Sequence, residues 1–300
     1  MFSVVTDTSA NLDCELAKER NIHVVPFHYY VNGEDMTCTD TRSFDGKTFY
    51  DAMRAGAKVT TSQITPQSYL DTLTPLLRNG EDILFVGMSS GISGSYSSAE
   101  TAAAQLRMEF PERQIHLVDT LSASLGEGLL AVKAADCRDA GASVADTAAL
   151  LDQMRIGMCQ VFTVDDLKYL RRTGRLSNVM ALVGTVLNIK PLLKGNQEGK
   201  IVSFATVRGR RRSIQGMAER YNAMVKDAGS QTIGIAHADC PEDVKYLVSL
   251  LNEKNPPKEI MTVMYEPVTG SHVGPGALAL FFMGDEKFRG EGLSLTIETK

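Results

Sequence analysis

The sequence predicts an α/β protein of two domains, an N-terminal domain on a mainly parallel sheet and a C-terminal α+β domain. Three observations carry this. In the first half, short apolar runs at 2–6, 82–88 and 114–119 alternate with helical patterns of about 10–17 residues, as strands joined by crossover helices do. Such strands belong to a sheet covered on both faces. Near residues 140–160 the pattern changes, and from there strands and helices follow in a less regular order. Finally, 300 residues suit two cores better than one.

Taken in order, 2–6 is a buried strand ending in the polar turn Asp7-Thr8-Ser9-Ala10-Asn11. Residues 12–20 have helical spacing, and 22–30 is a second apolar run rich in β-branched and aromatic residues. Ser43 is placed to cap a helix that Gly56 ends. TTSQITP (60–66) is turn-like, and Pro66 fits the first position of a helix reaching 79–80. Strand 82–88 leads through a Gly/Ser turn into an Ala-rich helix to about residue 110. Strand 114–119 precedes helices at 122–139 and 142–156. In the second half, strands are expected at 160–164, 189–193, 201–207, 231–236 and 259–263, with helices at 165–170, 211–228 and 241–252. Pro191 cannot donate to a central ladder, so 189–193 is expected at a sheet edge. The expected domains are 1–160, carrying Thr61 and Ser93, and 161–284, followed by a polar tail over 285–300.

Composition excludes several classes. A net charge of −5 argues against a general nucleic-acid binder. The N-terminus lacks the basic and apolar regions of a signal peptide, and no apolar run nears the roughly 20 residues of a membrane span. Five scattered cysteines without a CxxC pair fit reduced thiols in a cytoplasmic protein and give no zinc site.

Three segments carry chemistry. The strand–turn–helix of 86–99 leaves backbone N–H groups and hydroxyls at a helix's positive end, which suits a phosphate or carboxylate. Six serines between Ser89 and Ser98 exceed what a helix cap requires. The same turn raises a serine hydrolase using Ser93, with His272 as base and Asp119 or Asp166 as orienting acid; but Gly91-Ile92-Ser93-Gly94-Ser95 lacks the last glycine of a nucleophile elbow. His272 stands before Gly274-Pro275-Gly276, as a residue of a site rim or as a hydrogen-bonded structural histidine. Without an HExxH or a carboxylate cluster beside it, metal binding is not expected. Arg171, Arg172 and Arg175, and Arg208 with Arg210–Arg212, form two basic clusters: ordinary solvated faces, or a patch for an acidic partner or phosphate. Walker A and GxGxxG loops are absent.

Seven segments in unbroken order then resemble one family. They are TDTSANL (6–12), TSQITP (61–66), SSGISGSYSSA (89–99), VDTLSASLGEG (118–128), LKYLRRTGRLS (167–177), IKPLL (189–193) and GSHVGPGALALFF (270–282). Together they are similar to the DegV family, the fatty-acid-binding subunits of bacterial fatty acid kinase. The resemblance spans about residues 1–283 and leaves the tail outside. It implies a long-chain acyl group, such as palmitate, stearate or oleate, bound between the two domains. Its carboxylate would be held by Thr61, Ser93, the N–H of Gly94, and His272. Arg175 and Arg208 match family arginines implicated in docking the kinase. The resemblance also implies a partner, the dihydroxyacetone-kinase-like ATP-binding subunit, which phosphorylates the presented carboxylate to an acyl phosphate for phospholipid metabolism. This chain would then be a non-catalytic carrier without a cofactor, cytoplasmic, with no nucleic acid and at most transient membrane contact.

The residues agree on physical grounds. Two hydroxyls, a helix N-terminus and an imidazole can serve one carboxylate. Burying an acyl chain of about 16 carbons is worth of order 10 kcal/mol before association costs, at roughly 0.8 kcal/mol per methylene. The apolar segments 179–187, 189–193 and 277–283 are candidates to line a tunnel, with ordinary core as their plainer role. Two other functions stand beside the carrier: a serine esterase using Ser93, and a DNA-associated regulator suggested only by the arginine clusters.

Overall fold

The computed structural model describes residues 2–177 and 188–290. Segment 179–187, expected to line a tunnel, and the tail from 291 lie outside the described residues. The chain forms two compact units. The first gathers residues up to 45 with 57–155 and 266–268, and the second gathers 46–56 with 156–265 and the residues from 269.

In the first unit, β1 (Phe2–Asp7) is buried along its whole length. Helix α1 (Cys14–Glu19) follows, capped by the Asp13 side chain on the N–H of Glu15, and leads to β2 (Ile22–Val25). The apolar run expected over 22–30 is two strands, because Pro26 cannot carry the ladder onward. Its second half is β3 (His28–Val31), which turns through Asn32 and Gly33 into β4 (Glu34–Thr37). Both turn residues have positive φ, 52° and 96°, the Asn-Gly signature of a two-residue hairpin. β4 is exposed at every position, so apolar periodicity gave no sign of it. Ser43 does not cap α2 (Gly46–Arg54); its hydroxyl donates to Asp40 O. That helix belongs to the second unit.

β5 (Val59–Thr61) pairs with β3 and completes a three-stranded sheet in the order β4-β3-β5. α3 (Pro66–Arg78) starts on Pro66, and Thr65 Oγ1 accepts the N–H of Ser68. Next come β6 (Asp82–Gly87), α4 (Ser95–Glu109), β7 (Ile115–Asp119), α5 (Leu125–Asp139) and α6 (Val144–Gly157). The sheet has the order β2-β1-β6-β7 with every pair parallel, as the alternation predicted. α4 buries Ala99, Ala102, Ala103 and Leu106, an i, i+3, i+4, i+7 stripe whose small residues let helix and sheet approach closely. Strand order reverses between β1 and β6, with β2 added on one side and β7 on the other, which puts the topological switch beside the serine turn after β6.

The second unit holds β8 (Met158–Thr163), α7 (Lys168–Thr173), β9 (Ile189–Gly195), β10 (Ile201–Arg208), α8 (Arg210–Met224), β11 (Thr232–His237), α9 (Pro241–Lys254) and β12 (Glu259–Met264). After α10 (Pro267–Val273), β13 (Leu278–Met283) closes a six-stranded sheet ordered β10-β9-β8-β13-β11-β12. Only β11 and β12 run parallel within it. β9 is not an edge strand: β10 flanks it. Pro191 is tolerated because β8 pairs only with Leu193 and Lys194, beyond the proline. In the run 277–283, Leu278, Leu280 and Phe282 join Val161, Leu192, Ile214, Met217, Tyr221, Ile235, Leu247 and Leu251 in one core. Tyr221 meets Phe282 edge-on with ring centroids 5.0 Å apart. Those three side chains are therefore ordinary core. Among the described residues, no helix is long and apolar enough to cross a membrane.

Candidate anion-binding site

The serines after β6 hold one another in place. Ser89 N–H donates to Ser122 O at 2.8 Å, and Ser89 Oγ accepts the N–H of Gly91 at 3.1 Å. Ser90 donates its N–H and hydroxyl to the Asp119 carboxylate at 3.3 and 2.6 Å. Ser93 Oγ accepts the N–H of Ser95 at 3.2 Å, at the start of α4. Ser95 Oγ in turn accepts the N–H of Ile64 at 3.0 Å. Gly94 is the residue before α4, exposed, and its N–H has no hydrogen-bond partner among the described residues. A Cβ on Gly94 would strike the Gln63 side-chain oxygen, so glycine is what lets Gln63 lie across the turn. These ties dock Gln63 and Ile64, which follow half-buried Thr61 at the end of β5, on the turn that carries half-buried Ser93 and exposed Gly94. The first unit thus presents hydroxyls and an unused N–H at the positive end of a 15-residue helix.

The hydrolase constellation fares differently. Both Asp119 oxygens are committed to Ser90, and one also accepts Leu121 N–H at 3.0 Å. Asp166, in the second unit, accepts the N–H of Lys168 at 2.8 Å and pairs with its ammonium at 2.9 Å. Each candidate acid already serves its own loop.

In the second unit, His272 lies in α10, and glycine sterics shape the loop after it. Gly274 and Gly276 have φ of 80° and 78°. Added Cβ atoms would run into the Tyr169 ring and the Asp165 carboxylate respectively. Arg210 ties this loop down, donating to Gly276 O at 2.6 Å while pairing with Asp243 at 2.8 Å. Arg172 lies over Tyr169, 5.5 Å from the ring centroid, so the RRTGR segment abuts the GPG loop. His272 is pushed down to about 4, first by burial, then by the Arg175 and Arg172 guanidiniums. At neutral pH it is an uncharged imidazole. Arg208, by contrast, is exposed at the end of β10.

Sequence reasoning missed a buried acid pair in the first unit. Thr6 Oγ1 donates to Val86 O at 2.8 Å and lies 3.0 Å from Glu127 Oε1. Ser9 Oγ bridges Asp7 Oδ1 at 2.5 Å and Glu127 Oε2 at 2.8 Å. Thr6 thus has one hydroxyl proton for two acceptors, the Val86 carbonyl and the Glu127 carboxyl. One proton for two acceptors favours a protonated Glu127. Burial and the Asp7 charge agree, both raising its pKa well above 4.5. Asp7 is pushed up to about 6 by burial, partly offset by Ser9. The sequence signal was an acid on an apolar helical stripe: Glu127 precedes buried Leu130, Ala131 and Ala134 at i+3, i+4 and i+7. Asn11 accepts from Ser124 Oγ at 3.2 Å and from Glu266 N–H at 3.3 Å, tying residue 266 to the first unit. Among the described residues, no three His, Cys, Asp or Glu side chains group as metal ligands, and all five cysteines are free thiols.

A parallel α/β unit with a hydroxyl- and amide-lined turn, joined in one chain to a mixed-sheet unit bearing a histidine before a Gly-Pro-Gly loop, defines a class of two-unit α/β proteins. The chain belongs to the DegV family: the model described as "Uncharacterised protein, DegV family" matches residues 1–285. A DegV domain-containing protein of Clostridium perfringens is 33% identical over 286 residues, covering 95% of this chain and 98% of that protein. A DegV family protein from Thermus thermophilus, whose structure is described as fatty acid binding, is 27% identical with a TM-score of 0.85; the match covers 95% of this chain and 99% of that one. A Ruminococcus gnavus family member, solved with vaccenic acid, is 25% identical with a TM-score of 0.83, covering 93% of this chain and 99% of that one.

Proposed function

We propose that this protein binds a long-chain fatty acid and presents its carboxylate to a partner kinase for conversion to an acyl phosphate. The observation that carries this is the neutral donor set of the first unit, Thr61, Ser93 and the unused N–H of Gly94 at the start of α4. Fatty acid binding by the Thermus and Ruminococcus relatives supports the same ligand class. A carboxylate gains most from such donors, because hydrogen bonds to an ionised acceptor are roughly twice as strong as neutral ones. His272 supplies a further N–H without bringing a charge that would hold the product too firmly. Arg175 and Arg208 are assigned to the kinase, whose ATP supplies the phosphoryl group; the carrier itself needs no base or nucleophile.

Solvent extraction of the purified protein followed by mass spectrometry tests the ligand. A co-purifying acyl chain, or uptake of added oleate, is expected. Absence of both overturns the proposal. Incubating the loaded protein with ATP and a fatty acid kinase ATP-binding subunit tests the partner, and no acyl phosphate would remove that step while leaving lipid binding intact.

A further inference from the structure

The proposed head-group site rests on Ser93, yet Ser93 does not set its own proton. Its hydroxyl has one proton and two lone pairs. One lone pair takes the Ser95 N–H at 3.2 Å, and Ser95 Oγ lies 3.0 Å away. Ser95 is 1% exposed, so its hydroxyl answers only to protein neighbours. It accepts the N–H of Ile64 at 3.0 Å, three residues after Thr61. Two proton arrangements are then available. If Ser93 donates to Ser95, its proton is turned inward. If Ser95 donates to Ser93, both lone pairs of Ser93 are filled and its proton must point out of the turn.

We infer that Ser95 is the positioning residue of this site, docking the Thr61–Ile64 segment on the serine turn and, by donating to Ser93, making Ser93 an obligate donor. An obligate donor favours an acceptor-only group. A carboxylate fits it, whereas an alcohol brings a proton of its own that Ser93 has no lone pair left to take. Ser95 thereby sets the preference for an ionised head group over a neutral one with the same tail. This inference rests on the fatty-acid reading of the same site, and its test separates the two.

Full-length protein stripped of lipid is titrated at pH 8 with oleate and with oleyl alcohol, which shares the chain but lacks the carboxylate. Ser95→Ala should weaken oleate about tenfold, the loss of one charge-assisted arrangement, and leave oleyl alcohol within about twofold. Ser95→Thr, which keeps the hydroxyl, should restore oleate binding. In a Ser93→Ala background the further cost of Ser95→Ala should shrink below about threefold, because most of the effect runs through Ser93. Wild-type protein that takes up no oleate overturns the ligand assignment itself. Wild-type binding with an equal loss of oleate and oleyl alcohol on Ser95→Ala, or an undiminished cost without Ser93, overturns the inference alone. Should Ser95→Ala not fold, Ser95→Cys keeps the size with a feebler donor, and unchanged oleate affinity in that variant overturns it as well.

Discussion

The serine turn of the first unit and the GPG loop of the second are built by opposite means. Around the turn, Ser89, Ser90, Ser93 and Ser95 each satisfy a neighbour through hydrogen bonds. No cation is needed there. Around the loop, shape comes from two glycines where a Cβ would meet Tyr169 or Asp165, and the field comes from Arg172 and Arg175. A network of paired hydrogen bonds tolerates isosteric change that keeps each donor paired. A loop fixed by excluded volume does not. One region is specified by proton bookkeeping, the other by space and charge.

The largest expected effect breaks the steric half. Gly274→Ala forces an L residue to φ 80° and pushes a methyl into the Tyr169 ring. Left-handed strain of about 1–2 kcal/mol adds to overpacking of about 1–3 kcal/mol, so a loss of about 2–5 kcal/mol is expected in urea unfolding. A loss under about 1 kcal/mol would show the loop yields, and the contrast fails.

The bookkeeping half is broken by Glu127→Ala, which leaves a void and strips Thr6 and Ser9 of a partner at a cost of about 2–4 kcal/mol. Glu127→Gln keeps a neutral donor of the same shape and should cost less than about 1 kcal/mol. If Gln proves as damaging as Ala, Glu127 is ionised and the proton count is wrong.

Acid and base should reveal the two regions by slopes of opposite sign. Asp7 has a pKa of about 6 against an ordinary value of 3.8, so between those values the folded protein keeps a proton the unfolded chain has lost. That term favours folding at low pH and is lost as pH rises towards 6. His272 has a pKa of about 4 against 6.5, so the unfolded chain takes up a proton the folded protein refuses. Its term favours folding at neutral pH and is lost as pH falls from about 6.5 towards 4. Stability measured from pH 4 to 7 should therefore rise less steeply with pH in His272→Gln and more steeply in Asp7→Asn, by on the order of 1–3 kcal/mol over the window. Identical slopes in wild type and both variants would rule out both assignments.

The smallest effect sharpens the second region. Burial outranks Arg175 among the causes that depress His272. Arg175→Ala should thus raise the histidine's pKa, seen by NMR titration, without returning it to 6.5. Full recovery would make the arginine, and not burial, the cause.

Much of this was legible in the sequence because it is local. β6, the Ala-rich α4, Pro66 opening α3, and the glycines beside His272 follow from residue type and spacing within one element. The parallel sheet follows too, since short strands separated by helices have few other ways to pair. What escaped depends on partners distant in the chain. β4 carries no apolar pattern because none of its side chains is buried. The position of β9 beside β10 and β8 hangs on where β8 stops pairing, which Pro191 alone does not reveal.

The candidate site divides the same way. Ser93 and His272 stand out by residue type and setting, while Thr61 and Gly94 were singled out by the resemblance of their segments to the family. Sequence could not show that Ser95 binds Ile64, that Glu127 meets Thr6 across 121 positions, or that Arg172 and Arg175 bear on His272. Sequence by itself determined which groups are present and which backbone shapes they permit, because propensity, glycine freedom and apolar period act within a few residues. Tertiary structure alone decided where each proton sits and how far each pKa moves, because both depend on burial and on neighbours that folding brings together.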